Sequence, residues 1–168
     1  MLKLNLCSGQ RPFRKPWINV DVNARWKPDI ISDCSSMSGI LDSTADMIVI
    51  HQGLEHFGCG EASAMLKECY RILAPGGSLI VSVPDMLKLA KMWIRGELTT
   101  QVYMTNVYGA YMQDEADRHK WGYDPLSLTE YLYATCPWKR VVSFDHRKIE
   151  GADIARDDRW ILALECWK

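Results

Sequence analysis

Four short clusters near the start of the chain hold residue types able to do chemistry: Cys7-Ser8-Gly9-Gln10, Asp21, Asp33-Cys34 and His51-Gln52-Gly53-Leu54-Glu55-His56. Each follows a short run rich in apolar or β-branched residues, as a cluster at a strand end should. A small-residue turn such as Cys7 to Gln10 lets backbone N–H groups approach a ligand. A carboxylate such as Asp21 accepts two hydrogen bonds from a vicinal diol, and one such as Asp33 accepts one from an exocyclic amine. Together they suggest recognition of a nucleoside. Either aspartate alone is as well explained as a turn cap. Proton transfer near neutral pH falls naturally to histidine, and the chain has His51, His56, His119 and His146. His56 and His119 are the candidate catalytic groups, the bland alternatives being a loop-capping histidine and a surface residue; His146 reads as solvated. Arg11, Arg14 and Lys15, interleaved with Phe13 and Trp17, could hold an anion or simply form a solvated loop.

The elements that must position these residues alternate as in a parallel α/β sheet. Strands are expected over residues 3–6, 17–22, 29–32, 45–50 and 77–83. Ala62, Met65, Leu66, Cys69, Ile72 and Leu73 recur at helical spacing, predicting an amphipathic helix over 61–73. It should stop at the turn Ala74-Pro75-Gly76-Gly77. Asp85 caps a second helix through Leu89, Met92 and Trp93 that ends near Gly96. Residues 101–125, with Tyr103, Tyr108, Tyr111, Trp121 and Tyr123, read as a lid or insertion. Ser127-Leu128-Thr129-Glu130 fits a capping box for a helix through Tyr133. Strands at 140–144 and 160–166, joined by the charged stretch 145–159, should pair as an antiparallel hairpin. No repeat or linker interrupts the pattern, so residues 1–168 read as one domain.

Composition narrows the class. The 168 residues are 48% hydrophobic and 24% charged, with 20 basic and 21 acidic side chains for a net charge of -1. Such a balance argues against binding nucleic acid or anionic membrane by bulk charge. No apolar run approaches the ~20 residues of a membrane span, and no signal-peptide pattern opens the chain, so a cytoplasmic protein is expected. The six cysteines show no C-x-x-C pair or zinc-ligand spacing, so no metal site is expected; most read as small buried apolar residues. A dinucleotide site is excluded by the missing G-x-G-x-x-G. The seven residues between Gly9 and Trp17, two of them prolines, leave no room for a full helix; extended, they reach roughly 23 Å.

The ordered set Leu4-Asn5-Leu6-Cys7-Ser8-Gly9, Trp17-Ile18-Asn19-Val20-Asp21, Pro28-Asp29-Ile30-Ile31-Ser32-Asp33, Leu54-Glu55-His56-Phe57 and Leu66-Lys67-Glu68-Cys69-Tyr70-Arg71-Ile72-Leu73-Ala74-Pro75-Gly76-Gly77 resembles class I S-adenosylmethionine-dependent methyltransferases. Most of all it is similar to small type 11 methyltransferases without a long first helix. The resemblance implies a three-layer Rossmann-like fold, with a mostly parallel seven-stranded sheet in order 3-2-1-4-5-7-6 and strand seven antiparallel. It implies that S-adenosyl-L-methionine is the cofactor and S-adenosyl-L-homocysteine the product. Leu6, Cys7, Ser8 and Gly9 would pack on the methionine part, Asp21 with Val22 would take the ribose, Asp33 with Cys34 the adenine, and His51 and Gln52 would flank the sulfonium. Two positions depart from the family: Cys7 replaces the first glycine, which predicts a narrowed pocket or a turn of negative φ, and Gln52 stands where relatives often have histidine. Motifs resembling the amino- and cytosine-methylating DNA enzymes are absent. The expected acceptor is therefore an O or N atom of a small molecule or sugar. A non-catalytic binding module and a cofactor-degrading enzyme are the alternatives.

Overall fold

A computed structural model describes residues 1–110, 115–152 and 159–168. Tyr111 and part of the 145–159 stretch lie outside the described residues. Seven strands form one sheet: β1 (Lys3–Leu6), β2 (Trp17–Asp21), β3 (Ile30–Ile31), β4 (Ala45–His51), β5 (Leu73–Pro84), β6 (Arg140–Ser143) and β7 (Ile161–Trp167). Their order is β3-β2-β1-β4-β5-β7-β6. The first five are parallel, and β7 runs antiparallel to both β5 and β6. Order, strand count and the β6–β7 pairing are as the sequence reading expects.

Helix α1 (Cys59–Ile72) links β4 to β5, and α2 (Met86–Ile94), α3 (Thr100–Tyr108) and α4 (Pro125–Thr135) lie between β5 and β6. The periodic residues Ala62, Met65, Leu66, Cys69 and Ile72 all turn inward from α1. They meet Leu4, Leu6, Ile48, Ile50, Leu79 and Val81 of the sheet and Leu128 and Leu132 of α4 in the main core. The opposite face is covered differently. Val49 and Ile80 pack under Phe13 of the first crossover, Trp17 at the start of β2 and Ile149 of the loop after β6. Loops and a 3-10 turn (His146–Lys148) thus supply part of this covering. Too few residues separate β1 from β2 to build a helix there.

That short crossover is held by a side chain. In the buried middle of the sheet Asn5 donates to Asn19 Oδ1 at 2.9 Å, and the Asn19 amide grips both the N–H and the C=O of Phe13 at 2.8 and 3.0 Å. A second organiser is Arg71 near the end of α1. It donates to both Glu68 carboxylate oxygens, to Asp42, and to the carbonyls of Met37 and Ile40, fastening the β3–β4 connection to the helix.

Two local expectations are corrected. The Pro-Gly turn after α1 is a bulge inside β5: Leu73 pairs with Ala45 and Ser78 with Met47, so the residues between loop outward, with Gly76 at φ +83. Helix α4 begins at Pro125 with Asp124 as cap and Ser127 as its third residue, because Asp124 accepts from the N–H groups of Leu126 and Ser127. The proposed box at Ser127–Glu130 is already inside the helix. Most of α3 falls within residues 101–125, expected to be a lid or insertion, and Trp93 of α2 stacks on Tyr103 at 4.7 Å. No helix among the described residues is long and apolar enough to cross a membrane.

Candidate cofactor and acceptor site

The residues singled out at strand ends gather along the carboxyl edge of β1, β2 and β4, where ligands of open parallel sheets bind. The turn after β1 is set by Cys7 at φ +54 and Gly9 at φ +51. Cys7 thus takes the left-handed conformation natural to glycine, and the expected negative φ is not found. The thiol lies 3.8 Å from that of buried Cys34. This contact and burial push the Cys7 thiol well above the ordinary range, which makes it a packing group and not a nucleophile. Gly53, in the next loop, allows this: a Cβ there would come within 2.9 Å of the Cys7 Cβ.

Asp21 is buried at the end of β2. One carboxylate oxygen accepts from Gly9 N–H and the other from Asn23 N–H, both at 2.8 Å. Each oxygen keeps a second acceptor direction, so Asp21 braces the glycine turn and can still take a ribose hydroxyl. Ser8 is buried with its hydroxyl unpartnered among the described residues, a polar atom in want of a ligand at the same turn. Val22 next to Asp21 is exposed. Asp33 is exposed, and one of its oxygens accepts both from the N–H and the hydroxyl of Ser35 at 2.8 Å, leaving the other for an amine. These groups fit a nucleoside whose sugar lies over Asp21 and whose base reaches Asp33.

The loop after β4 completes the site. Gln52 is also left-handed, at φ +51, with its N–H donating to Ser82 O. His51 Nδ1 pairs with the Ser82 hydroxyl at 2.6 Å. Burial, reinforced by His146 and Arg11, lowers the His51 pKa to about 4. The imidazole is thus neutral at ordinary pH and would not repel a cationic ligand.

The four histidines sort into two pairs. His51 stacks on His146 at 6.2 Å between ring centroids; His146 is buried, against the solvated position expected for it. His146 also lines a cavity of about 760 Å3 beyond β5 to β7, with Lys88, Lys91 and Phe144. His56 and His119, 63 residues apart in the chain, meet edge to face at 4.8 Å. The backbone brings them together: the N–H groups of Lys120 and Trp121 donate to Glu55 O at 2.8 and 3.1 Å. His56 Nδ1 lies 3.2 Å from Arg118 O, and His119 Nδ1 lies 2.8 Å from Asn106 O. Since a carbonyl only accepts, each Nδ1 is the protonated nitrogen. Burial, with His56 adding to it, lowers the His119 pKa to about 4.

Beside the pair sits Glu55, which the sequence reading passed over. It is 2% exposed, and among the described residues neither carboxylate oxygen has a hydrogen-bond partner; burial raises its pKa to about 8. Ligand atoms of Glu55, His56 and His119 lie within 4.8 Å of one another, so these three residues could hold a cation. Glu55 had a signal in its position before His56, but nothing in the sequence says that it is buried.

Comparison with known proteins agrees with this geometry. Residues 18–81, from β2 into β5, match the methyltransferase domain family. No curated protein matches in sequence. Among solved structures, an S-adenosylmethionine-dependent methyltransferase of Archaeoglobus fulgidus superposes with a TM-score of 0.61 at 14% identity, covering 99% of this chain and 85% of that one. One from Methanosarcina mazei gives 0.58 at 16%, covering 99% and 91%. The 1,6-didemethyltoxoflavin-N1-methyltransferase of Burkholderia thailandensis, bound to that substrate and S-adenosylhomocysteine, gives 0.58 at 15%, covering 99% and 70%.

Proposed function

We propose, on the match of residues 18–81 to the methyltransferase domain family and on the shared fold, that the chain is a class I S-adenosylmethionine-dependent methyltransferase that methylates an O or N atom of a small-molecule or sugar-like acceptor. The observation that carries the cofactor half is the bracing of Gly9 by Asp21. It sets the turn after β1 and leaves acceptor capacity on the same carboxylate for the ribose. S-adenosylmethionine supplies an activated methyl group on a sulfonium. Leu6, Cys7, Ser8 and Gly9 form the floor for its methionine part, Asp21 and Val22 border the ribose, and Asp33 with Cys34 borders the adenine. Neutral His51 and Gln52 flank the sulfur. Transfer requires the acceptor atom in line with the breaking bond and water kept out.

His56 and His119 are the side chains placed to act on the attacking atom. Their support is the edge-to-face contact and the two Nδ1 anchors, which hold both rings in one tautomer. The shortness of the insertions within the fold favours a small acceptor over nucleic acid. A single domain acting in the cytoplasm is part of the same reading. The test is calorimetric titration with S-adenosylmethionine and S-adenosylhomocysteine, repeated with Asp21→Ala. Micromolar binding, about -8 kcal/mol, lost in the variant, supports the site and opens an acceptor screen. A wild-type protein that binds neither ligand refutes the cofactor half, and binding with no methylated product across the screen refutes the transfer.

A further inference from the structure

We propose that Glu55, His56 and His119 form a binding site for one divalent transition-metal ion of the zinc type. The inference rests on the placement of the acceptor beside the two histidines and says what acts on it there. Two imidazole nitrogens and one carboxylate oxygen are a donor set suited to zinc, cobalt or nickel. Their ligand atoms stand within 4.8 Å of one another, against about 3.3 Å between neighbours around a tetrahedral ion at 2.0–2.1 Å. Binding would draw the three side chains together across that difference.

Two further observations point to a ligand. Glu55 is nearly fully buried, yet among the described residues neither carboxylate oxygen has a partner; a buried carboxylate without a compensating group is strongly disfavoured. The cations flanking His119 do not supply one, because Lys120 pairs with Glu61 at 3.1 Å and Arg118 with Glu115 at 3.7 Å. The second observation is the pair of Nδ1 contacts to Arg118 O and Asn106 O. They leave Nε2 as the lone-pair nitrogen on each ring, the arrangement in which metal-bound histidines are held. Three protein ligands would leave a fourth coordination position open to the acceptor, where a cation would draw electron density from a hydroxyl or amine and ease loss of its proton to solvent water.

The full chain, treated with chelator and dialysed, is titrated with zinc chloride by calorimetry. One equivalent binding at micromolar or lower Kd is expected, with at least tenfold weakening in Glu55→Gln and in His119→Asn, each checked for an unchanged melting profile in chelator. Cobalt(II) serves as the spectroscopic probe. Visible ligand-field bands without thiolate charge-transfer absorption support the nitrogen and oxygen set, whereas thiolate bands would place the ion on cysteine and overturn the proposal. Absence of stoichiometric zinc binding by the wild type overturns it, as does unchanged affinity in both folded variants. Cofactor titration is a separate measurement: zinc binding lost while S-adenosylmethionine still binds defeats the metal site alone, and the reverse defeats the cofactor reading alone.

Discussion

Gly53 gives a sharp test of how the cofactor turn is built. Its φ of -134 is open to any residue, so the need for glycine there is steric. An added Cβ would stand 2.9 Å from Cys7 Cβ, 3.1 Å from Ile50 Cγ2 and 3.4 Å from Cys7 Sγ. Optimal carbon separation is about 3.5–4.0 Å, so Gly53→Ala must push the Cys7 turn aside by about 0.6 Å or more. Overpacking of this kind costs about 1–3 kcal/mol. Cys7→Gly removes two of the three close atoms and, at φ +54, also relieves about 1 kcal/mol of left-handed strain, which offsets its lost packing. We expect Gly53→Ala to cost under about 1 kcal/mol in the Cys7→Gly background, a coupling of about 1–2 kcal/mol. Urea unfolding of the four proteins, followed by tryptophan fluorescence, measures it. An equal cost in both backgrounds, within about 0.5 kcal/mol, would refute the reasoning that Cys7 and Gly53 exclude one another's side chains.

Other outcomes follow from the same contacts. Arg71→Met strips two buried carbonyls and two carboxylates of their donor; a loss of about 2–4 kcal/mol is expected, read as a melting temperature lower by about 4–16 °C. The His51 pKa is lowered from 6.5 to about 4, so the unfolded chain binds the proton first and stability falls as pH drops from 6.5 toward 4. The wild type should lose about 2 kcal/mol more than His51→Asn between pH 7 and pH 5, and parallel profiles of urea midpoint against pH would count against a buried neutral His51. Asn19→Asp puts a charge among Asn5, Phe13 and Asp29. A loss of about 3 kcal/mol or more is expected, and a stability within 1 kcal/mol of wild type would mean that Asn19 does not anchor the crossover.

Much of the architecture was legible in the chain, because each strand and α1 announce themselves by local apolar periodicity and by the turn residues that end them. The carboxyl-edge site was legible for the same reason: in a parallel sheet whatever follows a strand must lie at that edge, so Cys7, Asp21, Asp33 and His51 come together once the strands are assigned. Tertiary structure alone decided the rest. That Asn19 replaces a missing helix as the tie of the first crossover depends on the register of β1 against β2. That Glu55 is buried, and that His119 comes to rest on His56, depends on backbone hydrogen bonds between segments more than 60 residues apart. Burial and the pairing of distant side chains are sums over the whole packed chain. No spacing in the sequence records them.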